Sequence, residues 1–141
     1  MDTTVLASWT LTDTLIPESI RPNEAETEIS NSVQLESLLV AFSKERPRVL
    51  LLESSYGRFY YIAIGGEWAG VEYYVSSTTE RPTCLSHKLA SADADRYFTG
   101  EGQPSCFTGR CLMPVQELIQ AIVSIFKSEP LSDSVHWEIF V

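Results

Sequence analysis

Residues 48–77 read RVLLLESSYGRFYYIAIGGEWAGVEYYVSS, and this stretch decides the fold. Three runs rich in β-branched and aromatic residues are separated by glycine-bearing breaks, the pattern of adjacent hairpin strands. Val49, Leu51 and Glu53 alternate with Leu50, Leu52 and Ser54. Phe59 to Ile64 is apolar on both faces, which predicts a central strand covered on both sides, at least in part. In the third run Val71, Tyr73 and Val75 share one face, and Glu72 and Tyr74 share the other. The expectation is a sheet with one dry face and one amphipathic face that carries tyrosine and carboxylate.

Two helices flank this core. Asn31 is a good N-cap, with Gln34 at the third helical position of a capping box. Leu35, Leu38, Leu39 and Phe42 then form one apolar stripe, and Pro47 ends the segment. Pro114 suits a first helical position, and Val115, Leu118, Ile122, Ile125 and Phe126 follow on one face. The fold class is therefore α+β: a mainly antiparallel sheet with two amphipathic helices, about 32–45 and 114–128, packed on it. Further strands are expected at Val5–Leu11, Cys84–Leu89, Arg96–Thr99, Ser105–Thr108 and Val135–Val141. Residues 13–30 read as a loop, 78–83 as a polar turn and 91–95 as another loop.

The 141 residues suit a single domain, 1–141, and 44% hydrophobic with 21% charged content is ordinary for a folded chain. No apolar run reaches the roughly 20 residues that span a bilayer. The N-terminal MDTTVLASWTLTD lacks the basic segment of a secretory signal. Together with three cysteines this predicts reduced thiols in a cytoplasm.

The formal net charge of −9 disfavours nucleic acid and anionic membrane as partners, since both are polyanions. It favours encounter with a basic protein. Residues 1–46 carry eight acids and three bases, 47–111 seven and six, and 112–141 four and one, so the excess lies toward the two ends.

Candidate chemistry is sparse. Cys84, His87, Cys106 and Cys111 can be drawn as a four-ligand zinc site, because thiolate and imidazole are suitable ligands at such spacings. The plainer reading is half-buried thiols that pack as small hydrophobes. A Cys106–Cys111 disulfide would need oxidising conditions. His136-Trp137-Glu138 matches the His-x-Glu of zinc deaminases, but the required Pro-Cys-x-x-Cys does not follow. Gly65-Gly66-Glu67-Trp68-Ala69-Gly70 lacks the lysine of a phosphate loop and reads as a tight turn. Cys84 or Ser86 with His87 or His136 as base is the one arrangement for a nucleophile. Asp93, Asp95 and Glu101 lie in polar loops, where solvation competes with contact to a basic partner. Trp68, in the glycine turn, either caps the core edge or anchors a partner. Trp9 and Trp137 read as core residues.

The order of elements resembles immunity protein family 1 of bacterial polymorphic toxin systems. The matching features are the helix Leu35–Phe42 (LESLLVAF), the strand after Arg46-Pro47, and Ile62–Tyr74 (IAIGGEWAGVEYY) with its Gly65, Gly66 and Gly70. Tyr97 with Gly100, Met113-Pro114 with Ala121 and Phe126, and Pro130 with Val135-x-Trp137 complete the likeness. Residues 17–30 have no counterpart. The resemblance implies an α+β protein encoded beside a toxin, often of the deaminase superfamily, that neutralises it by occluding its active site or substrate groove. It implies no enzyme activity, no catalytic residue, no metal and no cofactor, and a partner that is a basic toxin domain. Exposure and charge, not a family motif, nominate Glu67, Trp68, Glu72, Tyr74, Asp93, Asp95 and Glu101 as the toxin interface, with residues 18–28 as a second acidic surface. An exposed edge strand or the tyrosine-bearing face would support a homodimer as well as a monomer.

Overall fold

The runs expected to be strands pair in the order in which the hairpin signals place them. The computed structural model describes residues 8–75 and 83–139. Strands β3 (Arg48–Ser54), β4 (Arg58–Ile64) and β5 (Trp68–Val75) form a continuous antiparallel meander. β1 (Trp9–Asp13) pairs with β3, and β2 (Glu26–Ile29) pairs with β1. On the other side β6 (Thr83–His87) follows β5, and β10 (Val135–Ile139) closes that edge. The order is β10-β6-β5-β4-β3-β1-β2. The hairpin of β7 (Arg96–Gly100) and β8 (Gln103–Phe107) joins through one parallel bridge from Arg48 to Thr99. The two-residue β9 (Met113–Pro114) lies against Trp68 and Ala69.

Helix α1 (Ser32–Ser43) starts where its cap is written. Asn31 Oδ1 accepts from the Gln34 amide at 2.9 Å, and Gln34 Oε1 accepts from the Ser30 amide at 2.7 Å. Helix α2 (Val115–Phe126) begins one residue later than expected. Pro114 is its N-cap, because the same residue is bridged to Trp68 and cannot also turn into the helix.

Both helices pack on one face of the sheet. Leu35 and Leu39 of α1, and Leu118, Ile119 and Ile122 of α2, meet Leu11, Leu50, Leu52, Ile62, Ile64, Val71 and Leu85. Aromatic rings extend this core along the sheet: Phe126, Trp9, Tyr60, Tyr73 and Trp137 follow one another at centroid spacings of 4.9–6.1 Å. Arg48 is nearly buried beside Phe42, held by Asp13 at 2.6 Å and Glu45 at 3.2 Å, so its charge is paired where water is scarce.

The opposite face is covered only at one end. There Val49, Ala63, Ala92, Phe98, Phe107 and Leu112 form a second, smaller core beneath the β7–β8 hairpin. β4 is thus covered on both sides from Ile62 to Ile64 and is half-open at Phe59 and Tyr61.

Several expectations change. Residues 13–30 are not one loop: β2 forms there, preceded by single 3-10 turns at Glu18–Ile20 and Asn23–Ala25, because β1 offers a free edge for Glu26–Ile29 to pair with. Trp68 opens β5 and packs against the second core, so it caps the core edge. Cys84 is bonded to Cys111, and Cys106 is the free thiol, which replaces both the reduced set and the Cys106–Cys111 pairing. The first strand begins at Trp9. Residues 5–7 of the expected strand, the turn at 78–82 and the last two residues of the final strand lie outside the described residues.

Candidate functional site

Strand pairing assembles the open face from residues far apart in the chain. Directly opposed residues point to the same side of a sheet. One row across that side runs Glu26, Thr12, Leu51, Tyr61, Glu72, Cys84, Glu138. The next row runs Glu28, Thr10, Glu53, Phe59, Tyr74. Five carboxylates and no lysine or arginine stand in these two rows. Glu53 and Glu72 are interleaved with Phe59, Tyr61 and Tyr74, and Glu26, Glu28 and Glu138 stand at row ends.

The centre is tied together locally. Tyr74 Oη donates to Glu72 Oε2 at 3.1 Å, and the Tyr61 and Tyr74 rings meet edge to face at 5.2 Å. Burial raises the Glu72 carboxyl above the usual carboxylate range, partly offset by the Tyr74 hydrogen bond. Burial also raises the phenols of Tyr74 and Tyr61; next come the Glu72 charge for Tyr74, and Glu53 and then Glu101 for Tyr61.

Beside Tyr61 the face deepens into a cleft of about 480 Å³. It is lined by Thr12, Val49, Leu51, Glu53 and Tyr61 of the sheet, by Glu18, Arg21 and Glu26, and by Glu101 and Ser105 of the hairpin. The acidic segment 18–28 and the nominated Glu101 therefore belong to one site. Glu53, Tyr61 and Glu26 had no individual signal of their own, since only the strand register brings them to it.

The nominated residues divide. Glu72 and Tyr74 lie on the open face, and Glu101 lies at the cleft wall. Glu67 is exposed at the β4–β5 turn, where its carbonyl accepts from the Val115 amide at 2.9 Å. Trp68 is committed to the second core. Asp95 accepts from the Gly109 amide at 2.9 Å, and Asp93 is 93% exposed beside Arg96 at 3.8 Å. These last two sit in the loop before β7 and stand in neither row, so the structure does not join them to the face.

The zinc quartet is not assembled. Cys84 points to the open face and is bonded to Cys111, whereas His87 points to the helices. His87 Nδ1 accepts from the Leu89 and Ala90 amides at 3.1 and 2.8 Å, which leaves Nε2 to carry the proton toward Glu117. Among the described residues no group of three or more His, Cys, Asp or Glu side chains is placed to hold a metal ion. Ser86 is buried, and His136 Nε2 lies 2.9 Å from Glu138 Oε1. Glu138 also meets Arg110 Nε at 3.1 Å. The His136 hydrogen bond, with Ser86 and Arg110, holds its carboxyl below the usual range.

No family model and no curated protein matches the chain. Among the described residues no helix is long and apolar enough to cross a membrane.

Proposed function

We propose that this protein is a non-enzymatic immunity protein. It binds a cognate secreted bacterial toxin domain one to one and neutralises it by covering its active site or substrate groove. The toxin is a basic, nucleic-acid-targeting enzyme, such as a deaminase, and the encounter takes place in the cytoplasm of the producing cell.

One observation carries this reading: the two rows and the adjoining cleft concentrate Glu26, Glu28, Glu53 and Glu72 around Tyr61 and Tyr74 on a face without a helix layer. Carboxylates at such spacing occupy positions that substrate phosphates would take in a basic groove. Aromatic rings between them supply the apolar contact that anchors an interface. The formal charge of −9 steers a basic partner toward the chain. A stable block buries roughly 1,200–2,000 Å² in total.

The test is co-expression with the toxin encoded by the adjacent gene. The reading expects restored growth, a one-to-one complex and an association rate that falls as salt rises. A toxin that stays fully active in saturating protein overturns it.

A further inference from the structure

Cys84 occupies the longer row between Glu72 and Glu138 and is bonded to Cys111, 27 residues away in the turn Gly109–Cys111. Both sulfurs are closed to solvent, at 0% and 2% residue exposure. The turn lies flat on the sheet: a Cβ added at Gly70 would stand 2.5 Å from the Cys111 carbonyl oxygen. It also carries Arg110, whose Nε is 3.1 Å from Glu138 Oε2 in the same row. The disulfide therefore ties the turn that carries this guanidinium to β6, alongside the Gly109 amide bond to Asp95 and the bonds from the Ala92 amide to the Gly109 and Leu112 carbonyls.

Neither cysteine is a member of the two apolar cores. Those cores are complete around the disulfide, unlike small domains that need disulfides in place of a core. As thiols the two side chains remain small hydrophobes in the same space. The pair is thus compatible with either oxidation state, and only the tether on the turn differs between them.

We propose that Cys84 and Cys111 form a redox-sensitive clamp on the acidic face. Closed, the disulfide keeps Arg110 over Glu138 and covers that charge. Opened, it loosens the Cys111 end of the turn and weakens the Arg110 cover on Glu138, which His136 still holds at 2.9 Å. Opening consumes two equivalents of a small thiol such as glutathione. During local opening of the turn, the first thiolate attacks one protein sulfur and releases the other as a thiolate, which takes up a proton from water. The second thiolate displaces the mixed disulfide, leaving two protein thiols and one small-molecule disulfide. Glutathione disulfide reverses the sequence. The effect on docking rests on the function proposed above, but the clamp itself does not.

The test needs no toxin. Cys106→Ser protein equilibrated with glutathione disulfide and then denatured in acid should show, by intact mass, the loss of two hydrogens and no glutathione adduct, and two thiols after dithiothreitol. The variant is used because glutathione disulfide also caps the exposed Cys106. In the native protein, amide exchange at 109–112 should rise at least about tenfold on reduction while β3 and β4 keep their protection. Cys84→Ser should show the fast exchange under both conditions; if it does not fold, the reduced wild type is the comparison. Two free thiols, or glutathione adducts on Cys84 and Cys111, after that equilibration, or equal exchange at 109–112 in both states, overturns the clamp. Failure of the docking reading shows separately, as a toxin left active by oxidised and reduced protein alike.

Discussion

Arg21 and Glu101 stand 80 residues apart in sequence and meet at 2.5 Å at the edge of the cleft. Glu101 lies at the tip of the β7–β8 hairpin with a φ of 52°. Its other carboxylate oxygen accepts from the Glu18 amide at 2.9 Å, and its own amide donates to the Thr14 carbonyl at 2.7 Å. One side chain thus latches the segment before β2 to the hairpin. Its charge is engaged within the molecule, which leaves Glu18, Glu26 and Glu53 as the other acids that line the cleft.

Glu101→Gln should therefore act on local order and little on global stability. A partly exposed ion pair contributes about 0–1 kcal/mol, so the urea midpoint moves only slightly. Amide exchange at Glu18 should quicken, because a neutral acceptor holds that N–H more weakly. Unchanged exchange at Glu18 would show that the latch is held by the backbone alone.

Charge reversal separates the face from net charge. Glu53→Lys and Glu26→Lys should slow association with the proposed basic toxin by about tenfold each at low salt and flatten the salt dependence. Asp93→Lys makes the same change in net charge away from both rows and should have little effect. Stopped-flow rates at two ionic strengths decide; equal slowing by all three variants would mean that no particular face is used.

Glu72 gives a pH signature. Its folded carboxyl titrates above the unfolded one, so the native state binds the extra proton between the two values. Stability from this group is greatest below the unfolded value, near 4.5, and falls as pH rises through the folded one. Glu72→Gln keeps an acceptor for Tyr74 and removes the buried charge. It should stabilise the protein at neutral pH, with the difference vanishing in acid. Denaturant titrations at pH 7 and pH 4 read this directly, and an equal offset at both would refute it.

Gly70 has no unusual φ, yet its hydrogen faces the Cys111 carbonyl oxygen. Gly70→Ala should cost about 1–3 kcal/mol by forcing the 109–111 turn off the sheet. Circular dichroism of urea unfolding measures it. A neutral effect would mean that the turn yields without loss.

Local signals were legible where their partners are close in sequence. Asn31 and Gln34 mark the start of α1 because a cap is completed within four residues. The split of Val71 and Tyr73 from Glu72 and Tyr74 follows from strand geometry alone and gives the two faces of β5 correctly. β2 escaped notice because its four residues carry a single strong apolar position, Ile29, and depend on β1 for a ladder. Trp68 stood between two readings because glycine on either side suggests a turn, while the second core that receives it comes from residues 92–112. The Cys84–Cys111 pairing was hidden for a similar reason: Cys106 is nearer Cys111 in sequence, but β8 carries it to an exposed position on the hairpin.

By itself the sequence determined the α+β class, both helices, the central meander and the acidity of the chain, since periodicity, capping and charge are properties of short segments. Only the tertiary structure decided which acids lie together. Glu26, Glu53, Glu72 and Glu101 come from four separate elements, and it is cross-strand register and the docking of the hairpin that bring them around Tyr61. Register is a relation between strands, so no single strand could declare it.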